Sequence, residues 1–258
     1  MADHQRPIQS RVHGRGKRVA TRNTGQGGAL SATVEIRDLH VGYADTGEVL
    51  AGLDLTFDAG SYTLVAGPTG SGKSTLVLAV IGVLDAGTDA EWSGQCLIDG
   101  RDIADVSAAE RASLVAAVWQ SPQVQLFRDT VLDEVRAGLD YRCLPAHEVD
   151  RRAREALQLV GLAHLDETHD PARLSGGEQQ RLALAAALVL DEASSALDAD
   201  AVQAFGQALD QARVERGVTV IAVDHRLAAH RQRADRCLVL DQGQVVLDGT
   251  VPQVLVDQ

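Results

Sequence analysis

Residues 67–74 read Gly67-Pro68-Thr69-Gly70-Ser71-Gly72-Lys73-Ser74, lying between the apolar run Leu64-Val65-Ala66 and an apolar stretch that opens at Thr75. A glycine-rich loop of this form needs a strand before it and a helix after it, which commits the chain to an α/β fold. The glycines let the backbone turn so tightly that successive N–H groups converge on one anion, and the following helix adds its positive N-terminal end. Lys73 can then reach the β- and γ-phosphates of a nucleoside triphosphate, while the Ser74 hydroxyl can ligate Mg²⁺.

A phosphate loop alone leaves many functions open, and a second motif narrows them. Leu174-Ser175-Gly176-Gly177-Glu178-Gln179-Gln180-Arg181 reads as another helix N-terminus, with the Ser175 hydroxyl and backbone N–H groups available to phosphate oxygens. Further on come Asp191-Glu192 and the run Ser195-Ala196-Leu197-Asp198. With these motifs in this order, roughly residues 32–258 resemble the ATP-binding subunits of ABC transporters. The resemblance implies a P-loop NTPase of the ABC ATPase type: a mixed sheet core, an antiparallel β subdomain, and a helical subdomain over roughly residues 125–180.

It also implies roles. Such domains work as head-to-tail pairs, so residues 67–75 would hold one ATP while Ser175, Gly176, Gly177 and Glu178 serve the partner's. Gln120, after the apolar run Leu114–Trp119, resembles the glutamine that touches Mg²⁺ or the attacking water and links to the membrane subunit. His225 follows the strand-like run Val218–Val223 and Asp224, where the family keeps a histidine near the γ-phosphate. Tyr43 resembles the aromatic that stacks on adenine. Asp191 matches the aspartate that holds Mg²⁺ through water, Glu192 the glutamate that polarises the attacking water, and Asp198 the loop residue that contacts the opposite subunit's site. The implied cofactors are ATP and Mg²⁺. The implied partners are a second ATPase subunit, identical or not, and membrane-embedded transport subunits, with the chain peripheral on the cytoplasmic face.

One interval departs from the family. Only the nine residues Leu182–Leu190 separate Arg181 from Asp191, where relatives fit the rest of a helix, a turn and an apolar strand in roughly seven residues more. A helix of about ten residues is ~15 Å long, and a strand rising ~3.3 Å per residue must then bring the carboxylates back to the phosphates. Either the helix stops near Ala185 and Leu188–Leu190 form a stub strand, or Asp191 and Glu192 lie away from the nucleotide. The alanines favour helix, and no Gly, Pro, Asn or Asp marks a stop before Asp191. A local deletion accounts for this best.

The net charge of −12 argues against general nucleic-acid binding, which calls for a basic surface. In the first thirty or so residues Arg6, Arg11, Arg15, Lys17, Arg18 and Arg22 face only Asp3, with no apolar periodicity, so residues 1–31 are expected to be a disordered basic arm and not a signal peptide. Cys96, Cys143 and Cys237 show neither metal nor pairing spacing, as in a reduced compartment. The longest apolar run, Leu182–Leu190, is too short to span a bilayer, so a transport path would belong to other chains.

Residues 32–66 are expected to form short strands of the antiparallel sheet, 75–84 the helix after the phosphate loop, Gln95–Gly100 a strand entering a turn, Leu132–Leu139 and Glu148–Val160 helices, and Cys237–Leu247 a hairpin. Gln120-Ser121-Pro122-Gln123-Val124-Gln125-Leu126-Phe127, followed by Thr130-Val131 and Glu134-Val135, resembles the same region in energy-coupling-factor ATPases for vitamins and metal ions, where a second glutamine and Leu-Phe follow the proline; Asp224-His225-Arg226-Leu227 also occurs there. Two other classes compete with a transport ATPase. A soluble ABC ATPase of repair would carry a long coiled coil where only about a hundred residues without heptads lie, and one of translation would carry two cassettes. A nucleotide-binding subunit with impaired hydrolysis is separated only by measurement.

Overall fold

A computed structural model of the chain describes residues 32–84, 89–119, 122–139, 144–188, 194–224 and 230–256. Val34, Ile36, Leu39 and Val41 point inward along the first segment, as a strand with one covered face requires, and give strand β1 (Val34–Tyr43). It pairs antiparallel with β2 (Gly47–Phe57). These strands are ten and eleven residues long rather than short. The third strand of this stretch, β3 (Tyr62–Ala66), leaves the antiparallel sheet and enters a second one. After α1 (Lys73–Val80), β4 (Ala90–Ile98) returns to pair with β1, and β5 (Arg101–Asp102) closes the four-stranded sheet in the order β2-β1-β4-β5.

The second sheet has six strands in the order β10-β9-β3-β8-β7-β6. After α2 (Ala108–Leu114) come β6 (Val115–Val118), then β7 (Ser194–Asp198), β8 (Val220–Val223), β9 (Arg236–Asp241) and β10 (Gln244–Gly249). The β6–β7, β7–β8, β8–β3 and β3–β9 pairs are parallel, and β10 is an antiparallel edge formed by the expected hairpin. β3 is apolar or buried throughout because both its faces are covered. Tyr62, Leu64 and Ala66 join the core under the helices, whereas Val65 joins the core shared with the antiparallel sheet and α1.

The helical layer comprises α3 (Val131–Ala137), α4 (Ala146–Leu159), α5 (Gly176–Leu188) and α6 (Ala199–Arg216), with α7 (Val251–Val256) against the terminal hairpin. The helix after the phosphate loop begins at Lys73, earlier than the expected 75, and stops at Val80. For α5, the first of the two alternatives for the short interval is excluded. The helix does not stop near Ala185, and Leu188 belongs to it rather than to a stub strand. Alanine-rich sequence keeps it helical, and Arg216 Nη1 donates to Leu188 O at 2.6 Å, satisfying a terminal carbonyl. The strand between β6 and β8 is then taken from residues further along, Ser194–Asp198, so Asp198 ends a central strand instead of lying in a loop. A gap there would leave the backbone groups of two buried strands unpaired.

Candidate nucleotide site

The C-terminal ends of the parallel strands form one edge. Val65 and Asp198 both pair with Val223, Leu197 pairs with Val118, and Ala66 pairs with Val239. The chain enters the phosphate loop directly from Ala66, at the place where open α/β sheets take their ligands. Gly67 has φ +141°, and a Cβ on it would lie 2.0 Å from Leu240 O. Gly72 has φ +101°, with Leu50 Cδ2 2.7 Å from where a Cβ would stand. These two positions accept glycine alone, so the loop is seated against β9 and β2 at both ends. Gly243 N donates to Ser71 O at 3.2 Å, adding the terminal hairpin to the support.

Ser71 and Thr75 are buried while Pro68, Thr69, Gly70 and Ser74 are exposed. The exposed tip and the helix N-terminus are thus presented together. Lys73 Nζ donates to Gly67 O at 2.9 Å, Pro68 O at 2.6 Å and Ser71 Oγ at 3.2 Å, which sets the ammonium inside the loop. Burial holds its pKa below the usual lysine value. Tyr43 closes β1 beside the same helix, its hydroxyl donating to Thr75 Oγ1 at 3.3 Å. The cradle fits a polyphosphate, and Ser74 offers an exposed hydroxyl of the kind Mg²⁺ accepts.

The second motif forms the start of α5. Glu178 N donates to Ser175 Oγ at 3.4 Å, and Ser175 N donates to Glu178 Oε2 at 2.9 Å, a capping box; the Ser175 hydroxyl donates to the same carboxylate at 2.6 Å. Ser175 and its neighbours lower the Glu178 pKa, chiefly through that hydroxyl. Gly176 and Gly177 have nothing or only the far end of Arg181 near a built Cβ, so they keep an open surface at this terminus.

Gln120, Asp191, Glu192 and His225 lie outside the described residues. Their flanks are informative. Trp119 N donates to Gln125 Oε1 at 2.9 Å, and Gln125 Nε2 donates to Ala117 O at 2.8 Å, so Gln125 ties the stretch after Gln120 back to β6. Gln123 Nε2 donates to Gln179 Oε1 at 2.9 Å, and Gln179 Nε2 donates to Pro171 O at 3.1 Å, joining that stretch to α5. Buried Glu134 accepts the N–H groups of Phe127 and Arg128 at 2.8 and 2.7 Å. The sequence places Gln123 and Glu134 in the energy-coupling-factor resemblance and Gln179 in the second motif, with no individual role for any of them. The repeated glutamines were the available signal.

Comparison with known proteins agrees with this geometry. Residues 50–199 match the ABC transporter family. A Methanosarcina mazei protein named as an ABC transporter ATP-binding protein is 33% identical over 228 residues, 84% of this chain but only 39% of that relative's length. The energy-coupling factor transporter ATP-binding protein EcfA of Methanothermobacter thermautotrophicus is 34% identical over 234 residues, 87% of this chain and 73% of its own. The solved structure of cbiO1 from Clostridium perfringens, described as part of the ABC transporter complex cbiONQ, superposes with a TM-score of 0.76 at 27% identity, covering 87% of this chain and 90% of that one. The chain therefore belongs to the ABC transporter family, as one of its ATP-binding domains.

Proposed function

We propose that the chain binds Mg-ATP at Gly67–Thr75 and Tyr43, pairs head to tail with a second ATPase subunit through Ser175–Glu178, and energises an importer of the energy-coupling-factor type. The observation that carries this is the seated phosphate loop with Lys73 at its centre. Bound Mg²⁺ would neutralise charge on the β- and γ-phosphate oxygens, with Ser74 as one ligand and Gln120 and Asp191 as the others implied by the family resemblance. In this reading Glu192 polarises the attacking water and His225 faces the γ-phosphate. The importer class rests on the EcfA relative, the cbiO1 likeness, and the sequence resemblance of Gln120–Phe127, within which Gln125 bonds to Trp119 and Ala117. No described helix is long and apolar enough to cross a membrane, and in our reading membrane subunits hold the chain at the cytoplasmic face.

A second reading, a nucleotide-binding subunit with impaired hydrolysis, is favoured by one observation: β7 is drawn from Ser194–Asp198, after both expected carboxylates in the chain. The test of nucleotide binding is Lys73→Ala, which removes the cation facing the β- and γ-phosphates. Mg-ATP affinity should fall by on the order of tenfold or more, read by titration with a fluorescent ATP analogue. Equal affinity in the folded variant and the parent would sink the assignment.

A further inference from the structure

A buried polar chain runs beneath the phosphate edge and has no part in the site described so far. Asp224 directly follows β8, and its N–H donates to Val65 O at 3.2 Å, tying it to the strand that carries the phosphate loop. Its carboxylate is enclosed and meets the equally enclosed His230, Nε2 to Oδ2 at 2.8 Å. The other ring nitrogen, Nδ1, lies 2.9 Å from the Tyr62 hydroxyl. Burial pushes the Tyr62 pKa well above the usual phenol value, so this hydroxyl stays protonated. The Asp224 carboxylate only accepts, so Nε2–H donates to it, and a ring with one proton then accepts at Nδ1 from the Tyr62 O–H. Tyr62 is itself anchored, its N–H donating to Asp235 Oδ2 at 2.8 Å and the Arg213 guanidinium lying 5.5 Å from its ring centre.

Enclosed polar groups of this kind seldom add stability over apolar side chains of the same volume, which leaves placement as their use. The hydrogen bond joins the residues on either side of 225–229, at the end of a parallel strand where ligands enter. We propose that His230 is a positioning residue: with Tyr62 behind it, it fixes Asp224 and so presets the end of β8 for the terminal phosphate of the bound nucleotide. This deepens the nucleotide-binding reading above and rests on it.

The experiment compares ATP and ADP affinities of the whole chain by fluorescent-analogue competition, with thermal melting to certify folding. His230→Leu, which breaks both bonds, should leave ADP affinity near parental and cut the preference for ATP over ADP by about fivefold or more. Asp224→Asn keeps an acceptor for Nε2–H and should retain the parental preference. Tyr62→Phe removes only the outer bond and should lose part of it, which decides the matter if His230→Leu does not fold. An unchanged preference in folded His230→Leu, or in Tyr62→Phe if only that variant folds, overturns the inference. So does equal loss in Asp224→Asn and His230→Leu, or a parent that binds ATP and ADP alike. A parent that binds neither nucleotide is a different failure, that of the nucleotide-binding reading.

Discussion

At the scale of single residues, Gly67 leaves the loop no latitude. The atom a Cβ would strike, Leu240 O at 2.0 Å, is backbone that cannot swing aside, and φ +141° is strained for any side chain. Gly67→Ala should cost on the order of 3 kcal/mol or more and remove ATP binding; a near-parental urea midpoint would refute the seating described. His40 is the opposite case, an exposed bridge. Its Nδ1 lies 2.8 Å from Glu48 Oε1 and its Nε2 3.2 Å from Asp38 Oδ1. The Glu48 contact is the largest influence on a pKa raised above 6.5; burial opposes it, and Asp38 adds to the rise. A histidine pKa raised by folding contributes stability that is complete below the unfolded value and is lost as pH rises through the folded value. Stability should therefore decline slightly from pH 6 to 8, by less than about 1 kcal/mol because the bridge is exposed, and His40→Gln should flatten that part of the curve. An undiminished slope in the variant would place the titration elsewhere.

Among the elements, α5 carries two tasks at one end. Ser175 caps the helix and, in our reading, receives the partner's phosphate. Ser175→Arg should lower stability by about 1 kcal/mol through the lost cap, leave ATP binding by the single chain nearly intact, and abolish ATP-driven dimerisation in light scattering. Dimerisation at the parental level would count against head-to-tail pairing. The start of α5 was legible in sequence because a serine followed three residues later by glutamate states its own geometry. The phosphate loop and the terminal hairpin were legible for the same reason: their signals are local, Gly67 to Ser74 and Asp241-Gln242-Gly243. β7 was not. Ser194-Ser195-Ala196-Leu197-Asp198 has no β-branched residue and matches a family loop, and it becomes a strand only because β6 and β8 need a partner between them. The Tyr62–His230 bond, 168 residues apart in sequence, had no local signal at all.

For the whole molecule, the short interval before Asp191 decides what the assembled protein can do. α5 reaches Leu188, β7 begins at Ser194, and the phosphate edge is met only at the far end of that strand, at Asp198. Asp191 and Glu192 come before β7 in the chain. If that order governs, the chain should bind ATP through its complete loop yet hydrolyse it slowly or not at all, since the glutamate the family uses to polarise water is not carried on the strand that reaches the edge. Inserting about seven residues, a turn and an apolar strand segment, between Ala187 and Leu188 would let the following apolar residues take the central strand and bring both carboxylates to its end. Turnover should then rise, and Glu192→Gln in the lengthened chain should abolish the gain. The comparison belongs in the complex with its partner subunits, because in our reading each site is completed by the opposite chain's Ser175. If the unaltered complex already turns over ATP as fast as the lengthened one, the interval is no impediment, and the catalytic carboxylate reaches the phosphates from a chain in which Ser194–Asp198 form the central strand.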